Sequence, residues 1–167
     1  DVIKGKKIYK PPEIGEVAIP AYDLFDMGSY LDFIGQTGRA FEIYSTRGCP
    51  WASSFCFRVS GANTRARSVD TVIAEMDHLH EAYGVERFSF VDDTFGLKPP
   101  WLKEFCRRMK ERPYGFRFQA MINSLRNRDK LDMMRGAGLF GISMGIESGS
   151  QKILDFLGKK NDLEAAR

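Results

Sequence analysis

From residue 41 onward, short apolar runs and amphipathic stretches alternate along the chain. Residues 41–45 are apolar enough to predict a first strand. Val69, Val72, Ile73, Met76, Leu79 and Tyr83 then recur at helical spacing. They predict a helix over 69–83, with Ser68 as its N-cap and Gly84 as its stop. Phe88, Phe90 and Val91 mark a second strand at 87–91. Pro99-Pro100 opens a helix through Trp101, Leu102, Phe105, Cys106 and Met109, because a first helical turn tolerates proline. A third strand is read at 116–122, and a helix through Leu131, Met134 and Ala137 stops at Gly138. A fourth strand follows at 140–146, and a last helix through Ile153, Leu154, Phe156 and Leu157 ends at Gly158. Residues 1–40 differ. Pro11-Pro12, Pro20, Gly15, Gly28, Gly35 and Gly38 interrupt any period, so an extended lead-in with one helical turn near residues 22–25 is expected.

Strands separated by helices imply βαβ units, a parallel sheet and right-handed crossovers, hence an α/β fold. In such sheets chemistry collects at the carboxyl ends of the strands. Here those ends carry Arg47-Gly48-Cys49, Asp92-Asp93-Thr94, Asn123-Ser124 and Glu147-Ser148. Ordinary surface loops are polar too. Asp92-Asp93 reads equally as a turn or a helix cap, and Glu147 to Ser150 as a cap for the last helix.

Composition narrows the class. With 167 residues, 43% hydrophobic and 28% charged, the chain is long enough and apolar enough for one domain with a sizeable core. The net charge of +3 is mild, and no dense basic run is interleaved with aromatics, so nothing argues for nucleic acid. The basic stretch from Lys103 to Lys110 lies on an amphipathic pattern and reads as a solvated helix face. No apolar run approaches the roughly 20 residues of a membrane span, and no charged-then-apolar start marks a signal peptide. Three cysteines do not make a disulfide framework in a chain of this size. Their spacing favours a metal or redox role in a reducing compartment, which reads as the cytoplasm. Asp1 at the start, and residues 161–166 resembling the first turn of another helix, suggest a segment of a longer protein.

Cys49 and Cys56 are seven apart on the loop that follows the first strand, so both thiols can converge on one centre. They are too few to close an iron–sulfur cluster, and too few for a structural zinc site without a histidine. His78 and His80 belong to a helix directed away from this loop and read as surface or core-edge residues. Cys106 falls on an apolar helix face and reads as core packing. Trp51 and Phe57 would cover the loop. A two-cysteine zinc or redox module remains open on these residues alone.

Larger motifs add a family likeness. Cys49, Ser53, Phe55 and Cys56 sit at the spacing of a C-x3-C-x2-C loop with an aromatic residue before the last cysteine. Arg65-Ala66-Arg67-Ser68, Phe90-Val91-Asp92-Asp93-Thr94-Phe95 and Gly145-Ile146-Glu147-Ser148-Gly149-Ser150 follow in order. Together they resemble the radical S-adenosylmethionine (radical SAM) superfamily over residues 17–167. Ile19-Pro20-Ala21-Tyr22-Asp23-Leu24 is similar to the linker of the branch often fused to a cobalamin-binding domain.

The resemblance implies the first four βα units of a partial TIM-like barrel: residues 1–40 a linker, and 41–167 an incomplete barrel. It implies a 4Fe-4S cluster that chelates S-adenosylmethionine and generates a 5′-deoxyadenosyl radical for methylation or rearrangement of a substrate. Cobalamin and a reductant protein would serve the longer protein, and this segment would have no turnover alone. Carried onto this chain, Cys49 and Cys56 would be metal ligands and Phe55 would lie beside the adenine. Asp92, Asp93 and Thr94 would form the segment contacting the methionine amino group. Glu147 would bind the ribose or neighbouring polar atoms, and Gly145 and Gly149 would let the backbone approach the cofactor closely. Two departures stand out. Ser53 occupies the middle-ligand position, where a hard, basic alkoxide is a poor substitute for thiolate, and Asn123 stands where arginine is common. Ser53 leaves two readings open: a radical SAM site with one ligand changed, or a cluster-free binding or scaffold module on the same fold.

Overall fold

The structure, a computed structural model, describes residues 14–57 and 59–166. Pro11-Pro12 and Arg167 lie outside the described residues. Four strands form one parallel sheet in the order β1 (Phe41–Ile43), β4 (Arg87–Phe90), β5 (Gly115–Ala120), β6 (Leu139–Met144). Phe88 pairs with Phe41 on one side and Phe116 on the other, so the strands stay in register through the centre. Between them run α2 (Val69–Tyr83), α3 (Pro99–Met109) and α4 (Arg128–Arg135), and α5 (Gln151–Phe156) follows β6. The alternation expected from the apolar pattern is therefore present.

α2 forms as its sequence dictates. Ser68 accepts a hydrogen bond from the Thr71 amide, and Gly84 closes the helix at φ 69°, a left-handed conformation that costs glycine nothing. Val72, Ile73, Met76 and Leu79 are fully buried on its inner face. Each such side chain contributes about 1.5–3 kcal/mol by leaving water. Across the sheet, Phe90, Phe95, Phe105 and Phe116 pack edge-on and tilted, with ring centroids 4.6 to 6.1 Å apart. Cys106 is fully buried among them, as its helix face predicted, and burial pushes its thiol up to about 11. His78 is exposed on α2, and His80 is half-buried against the Val85 carbonyl.

Several boundaries differ from the sequence reading. The lead-in is not simply extended: besides the 3-10 turn Tyr22–Leu24 it holds an 11-residue helix, α1 (Met27–Thr37). Asp26 caps it through Ser29, Gly38 ends it at φ 62°, and Met27, Leu31 and Ile34 pack on the core. Gly28 and Gly35, poor helix formers, hid it. The first strand stops at Ile43 rather than residue 45, because Thr46–Arg47 (β2) leaves the sheet to pair antiparallel with Arg65–Ala66 (β3). The third strand ends at Ala120, giving way to a 3-10 turn, Ile122–Leu125. α4 ends at Arg135, before Ala137, and the fourth strand ends at Met144, before Ile146. These shifts carry the polar strand ends out of the ladders and into loops.

Candidate functional site

The β2–β3 pair closes the base of the cysteine loop. At that base Gly48 has φ 97°, and a Cβ there would lie 2.2 Å from the Asn63 carbonyl oxygen. Glycine is therefore required by both conformation and space. The Gly48 amide donates to Asp93 Oδ2 at 2.7 Å, and its carbonyl accepts from the Thr64 and Thr94 hydroxyls, each at 3.2 Å. Asp92 is buried beside this turn. It accepts from the Ser45 amide at 2.6 Å and from the Ser45 hydroxyl. Burial holds its carboxyl above the usual carboxylate range despite those hydrogen bonds. The Asp92-Asp93-Thr94 segment thus clamps the end of β4 to the start of the loop.

Behind the clamp lies a buried ion pair. Arg67 is 2% exposed; it pairs with Glu75 and donates to the Tyr44 carbonyl at 3.0 Å. The Trp101 indole donates to the Arg67 carbonyl at 2.7 Å, and the Tyr22 hydroxyl donates to Glu75 Oε1 at 2.5 Å. The lead-in is thereby tied to the same corner of the barrel.

The loop itself is open. Cys49 is half-buried, with its amide bonded to the Gly61 carbonyl at 3.1 Å, and Cys56 and Phe55 are exposed. Ser53 is half-buried. Trp51 is 41% exposed and Phe57 91%, so Phe57 does not cover the loop. The far side of the loop rests on the end of α5. There the Ser54 amide donates to the Leu157 carbonyl at 2.9 Å, and a Cβ on Gly158 would meet the Ala52 carbonyl oxygen at 3.4 Å.

The end of β6 reaches the same loop through a segment that the sequence marked only as a helix stop. Lys159, 8% exposed, donates to Glu147 Oε1 at 2.9 Å and lies 5.6 Å from the centroid of the Phe55 ring. A Cβ on Gly145 would sit 2.8 Å from Glu147 Oε1 and 3.1 Å from Lys159 Nζ, so the pair lies directly over the strand end. Asn161, 2% exposed, donates to the Gly145 carbonyl at 2.8 Å, while its own Oδ1 is buried without a partner. Glu147 has φ 65° and is the one non-glycine residue at positive φ among the described residues. An L-residue held there is strained, by about 1–2 kcal/mol, and such strain gathers at functional sites. Asn123 joins from the end of β5, donating to the Lys160 carbonyl and accepting from the Asp162 amide at 3.1 Å.

Three strand ends therefore reach this region: Asp93 after β4 binds the loop base at Gly48, Glu147 after β6 meets Phe55 through Lys159, and Asn123 after β5 binds the neighbouring Lys160 backbone. Lys159 and Asn161 are the residues that the sequence reading missed. Their signal was slight, a Gly-Lys-Lys-Asn tract after a helix. A groove of about 860 Å³ between α4 and β6, lined by Arg126, Arg128, Leu131 and Phe140, shares none of these residues. It is not this site.

The donor set answers whether a 4Fe-4S cluster fits. Three thiolates are required on one loop, and this loop offers two thiols and the Ser53 hydroxyl. Among the described residues, no group of three His, Cys, Asp or Glu side chains gathers to replace the third. The ligand set does not fit an ordinary cluster.

A parallel α/β sheet whose carboxyl ends gather a cysteine loop, an acidic clamp and a glycine-flanked glutamate has its polar groups where such folds collect their chemistry. Residues 43–167 match the Radical SAM superfamily, and the chain belongs to it. It is 33% identical over 165 residues to an uncharacterized methyltransferase of Pyrococcus horikoshii, covering 93% of this chain and 35% of that protein. It is 28% identical over 162 residues to the cytidylyl-2-hydroxyethylphosphonate methyltransferase of Streptomyces wedmorensis, covering 89% of this chain and 29% of that protein. The chain thus spans about a third of the length of the curated relatives it matches. Among solved structures, the cobalamin-dependent S-adenosylmethionine radical enzyme OxsB with aqua-cobalamin bound superposes at a TM-score of 0.76 and 22% identity. That match covers 93% of this chain and 24% of OxsB. The radical S-adenosylmethionine methyltransferase TsrM of Kitasatospora setae gives 0.69 and 19%, covering 82% of this chain and 29% of TsrM. The sheet and its helices match part of the TIM-like barrel of those enzymes. No helix among the described residues is long and apolar enough to cross a membrane.

Proposed function

We propose that this chain forms the S-adenosylmethionine-binding rim of a radical SAM protein in the cobalamin-associated, methyltransferase-type branch. The observation carrying this reading is the joining of the cysteine loop to both the β4 and β6 ends, by Asp93 on Gly48 and by Lys159 between Glu147 and Phe55. Exposed Phe55 would stack beside the adenine, and the Glu147 carboxylate would take the ribose hydroxyls. Gly145 leaves room for the Glu147–Lys159 pair that presents this carboxylate. Asp92, Asp93 and Thr94 would act by holding the loop base, presenting their backbone to the methionine end of the ligand. Cys49 and Cys56 would supply two of the three thiolates of a cluster loop once Ser53 is replaced by cysteine. The substrate of the longer protein would be methylated, as the names of its relatives suggest, with cobalamin as its cofactor.

Ser53 favours a second reading, a cluster-free binding module on the same rim. A radical step needs the third thiolate, so none is assigned to this chain.

Anaerobic treatment with iron and sulfide separates the two, read by absorbance, iron content and equilibrium binding of S-adenosylmethionine. The expected outcome is no stable cluster in the natural chain, and uptake of about four irons per chain by Ser53→Cys. A stable four-iron cluster in the natural chain would refute the donor-set argument. Failure of both proteins to bind S-adenosylmethionine would refute the rim.

A further inference from the structure

We infer that Lys159 is a positioning residue for nucleoside recognition, acting through Glu147 and without the iron ligands. The inference rests on the reading above that Glu147 meets the ribose of an adenosyl ligand. Three observations on the β6–α5 turn converge on it.

First, Lys159 is a nearly buried cation on a segment that is otherwise a helix stop, and it takes one carboxylate oxygen of Glu147 at 2.9 Å. The Glu147 side chain remains 34% exposed, so the carboxylate still faces out of the rim. An ion pair made this way anchors Glu147 Oε1 in place, because the ammonium is itself held by its burial. Second, the turn is built to present Glu147. Its backbone sits at φ 65°, Asn161 donates to the carbonyls of Gly145 and Ile146 just before it, and only glycine at 145 leaves space for the pair. Third, Lys159 lies beside the Phe55 ring, so one cation spans the face proposed for the base and the carboxylate proposed for the sugar.

The ligand class that matches is an adenosyl nucleoside with an intact 2′,3′-diol. A carboxylate anchored in place accepts from two adjacent hydroxyls at a smaller ordering cost, and here Lys159 anchors it through Oε1. None of these groups belongs to the cysteine pair, so the recognition survives the loss of the middle thiolate.

The test is calorimetric binding of S-adenosylhomocysteine and of its 2′-deoxyadenosyl analogue to the full chain, with chelator present. In the natural chain the diol ligand should bind more tightly than the deoxy analogue. Lys159→Met should weaken the diol ligand about tenfold and leave the deoxy analogue almost unchanged, erasing the discrimination. Lys159→Arg should restore most of it. A loss equal for both ligands, or none for either, overturns the role of Lys159. If Glu147→Gln leaves diol binding intact, the ribose reading falls and the inference with it. If Glu147→Gln weakens binding and Lys159→Met does not, the inference alone falls. Lys159→Gln, shorter in apolar length and still polar, replaces Lys159→Met if circular dichroism shows that the methionine variant does not fold.

Discussion

Glu147 concentrates the chemistry of the site in one backbone conformation. Nothing in the tract Gly145 to Ser150 announces that the glutamate, rather than a neighbouring glycine, adopts positive φ. The strain separates conformation from charge experimentally. Glu147→Ala and Glu147→Gly both remove the pair with Lys159, yet only alanine keeps the left-handed penalty. Urea unfolding should find the glycine variant more stable than the alanine variant by about 1 kcal/mol. Equal stabilities would mean that the turn relaxes and that Glu147 is not held. Asp92 shows the converse. Its position at a strand end was legible in the alternation of strand and helix, but its carboxylate is spent on Ser45.

The cysteine loop behaves as one element because its base is closed by β2, β3 and the Asp93 clamp. The sequence showed the two cysteines and the glycine, and family likeness showed the register. It did not show that Thr46–Arg47 and Arg65–Ala66 pair, since two-residue strands carry no periodic signal. Gly48 is where this closure is most sensitive. Gly48→Ala would place a Cβ against the Asn63 backbone, which cannot move aside as a side chain would. A loss of about 2–3 kcal/mol is expected, with new proteolytic cleavage between residues 48 and 64. Unchanged stability and protease resistance would show that the loop base is not closed as described. α1 was lost to the sequence reading for an analogous reason, as Gly28 and Gly35 masked the helical spacing of Met27, Leu31 and Ile34.

Stability of the barrel segment against acid depends on contacts between distant elements. Asp77 on α2 receives both Arg112 nitrogens, at 2.9 and 2.8 Å, and the Tyr114 hydroxyl at 2.5 Å. Burial opposes its charge, but these hydrogen bonds outweigh burial and hold its carboxyl below the ordinary 3.8. A depressed carboxyl stabilises the fold above its unfolded pKa, and that stability is lost as pH falls through the folded value. Asp77→Asn should therefore lower the urea midpoint at pH 7 and flatten its decline between about pH 5 and pH 3. Parallel pH profiles for the two proteins would exclude this role. Asp92 works in the opposite direction: its raised carboxyl favours the folded state toward acid, and the Asp77 variant leaves that contribution in place.

Apolar periodicity settled the α/β order, the span and caps of α2 and the burial of Cys106, because these follow from the spacing of neighbours along the chain. Motif spacing also settled the family, since Cys49, Asp93 and Glu147 each follow a strand. What only the folded chain decided is how those strand ends meet. The return of Lys159 and Asn161 to the rim, the clamp on Gly48 and the conformation of Glu147 depend on contacts between residues that are 12 to 46 positions apart. No local pattern encodes such contacts. Ser53 belongs to both accounts: its identity is plain in the sequence, but only the folded chain shows that, among the described residues, no His, Cys, Asp or Glu gathers with Cys49 and Cys56 to complete a metal-holding group of three.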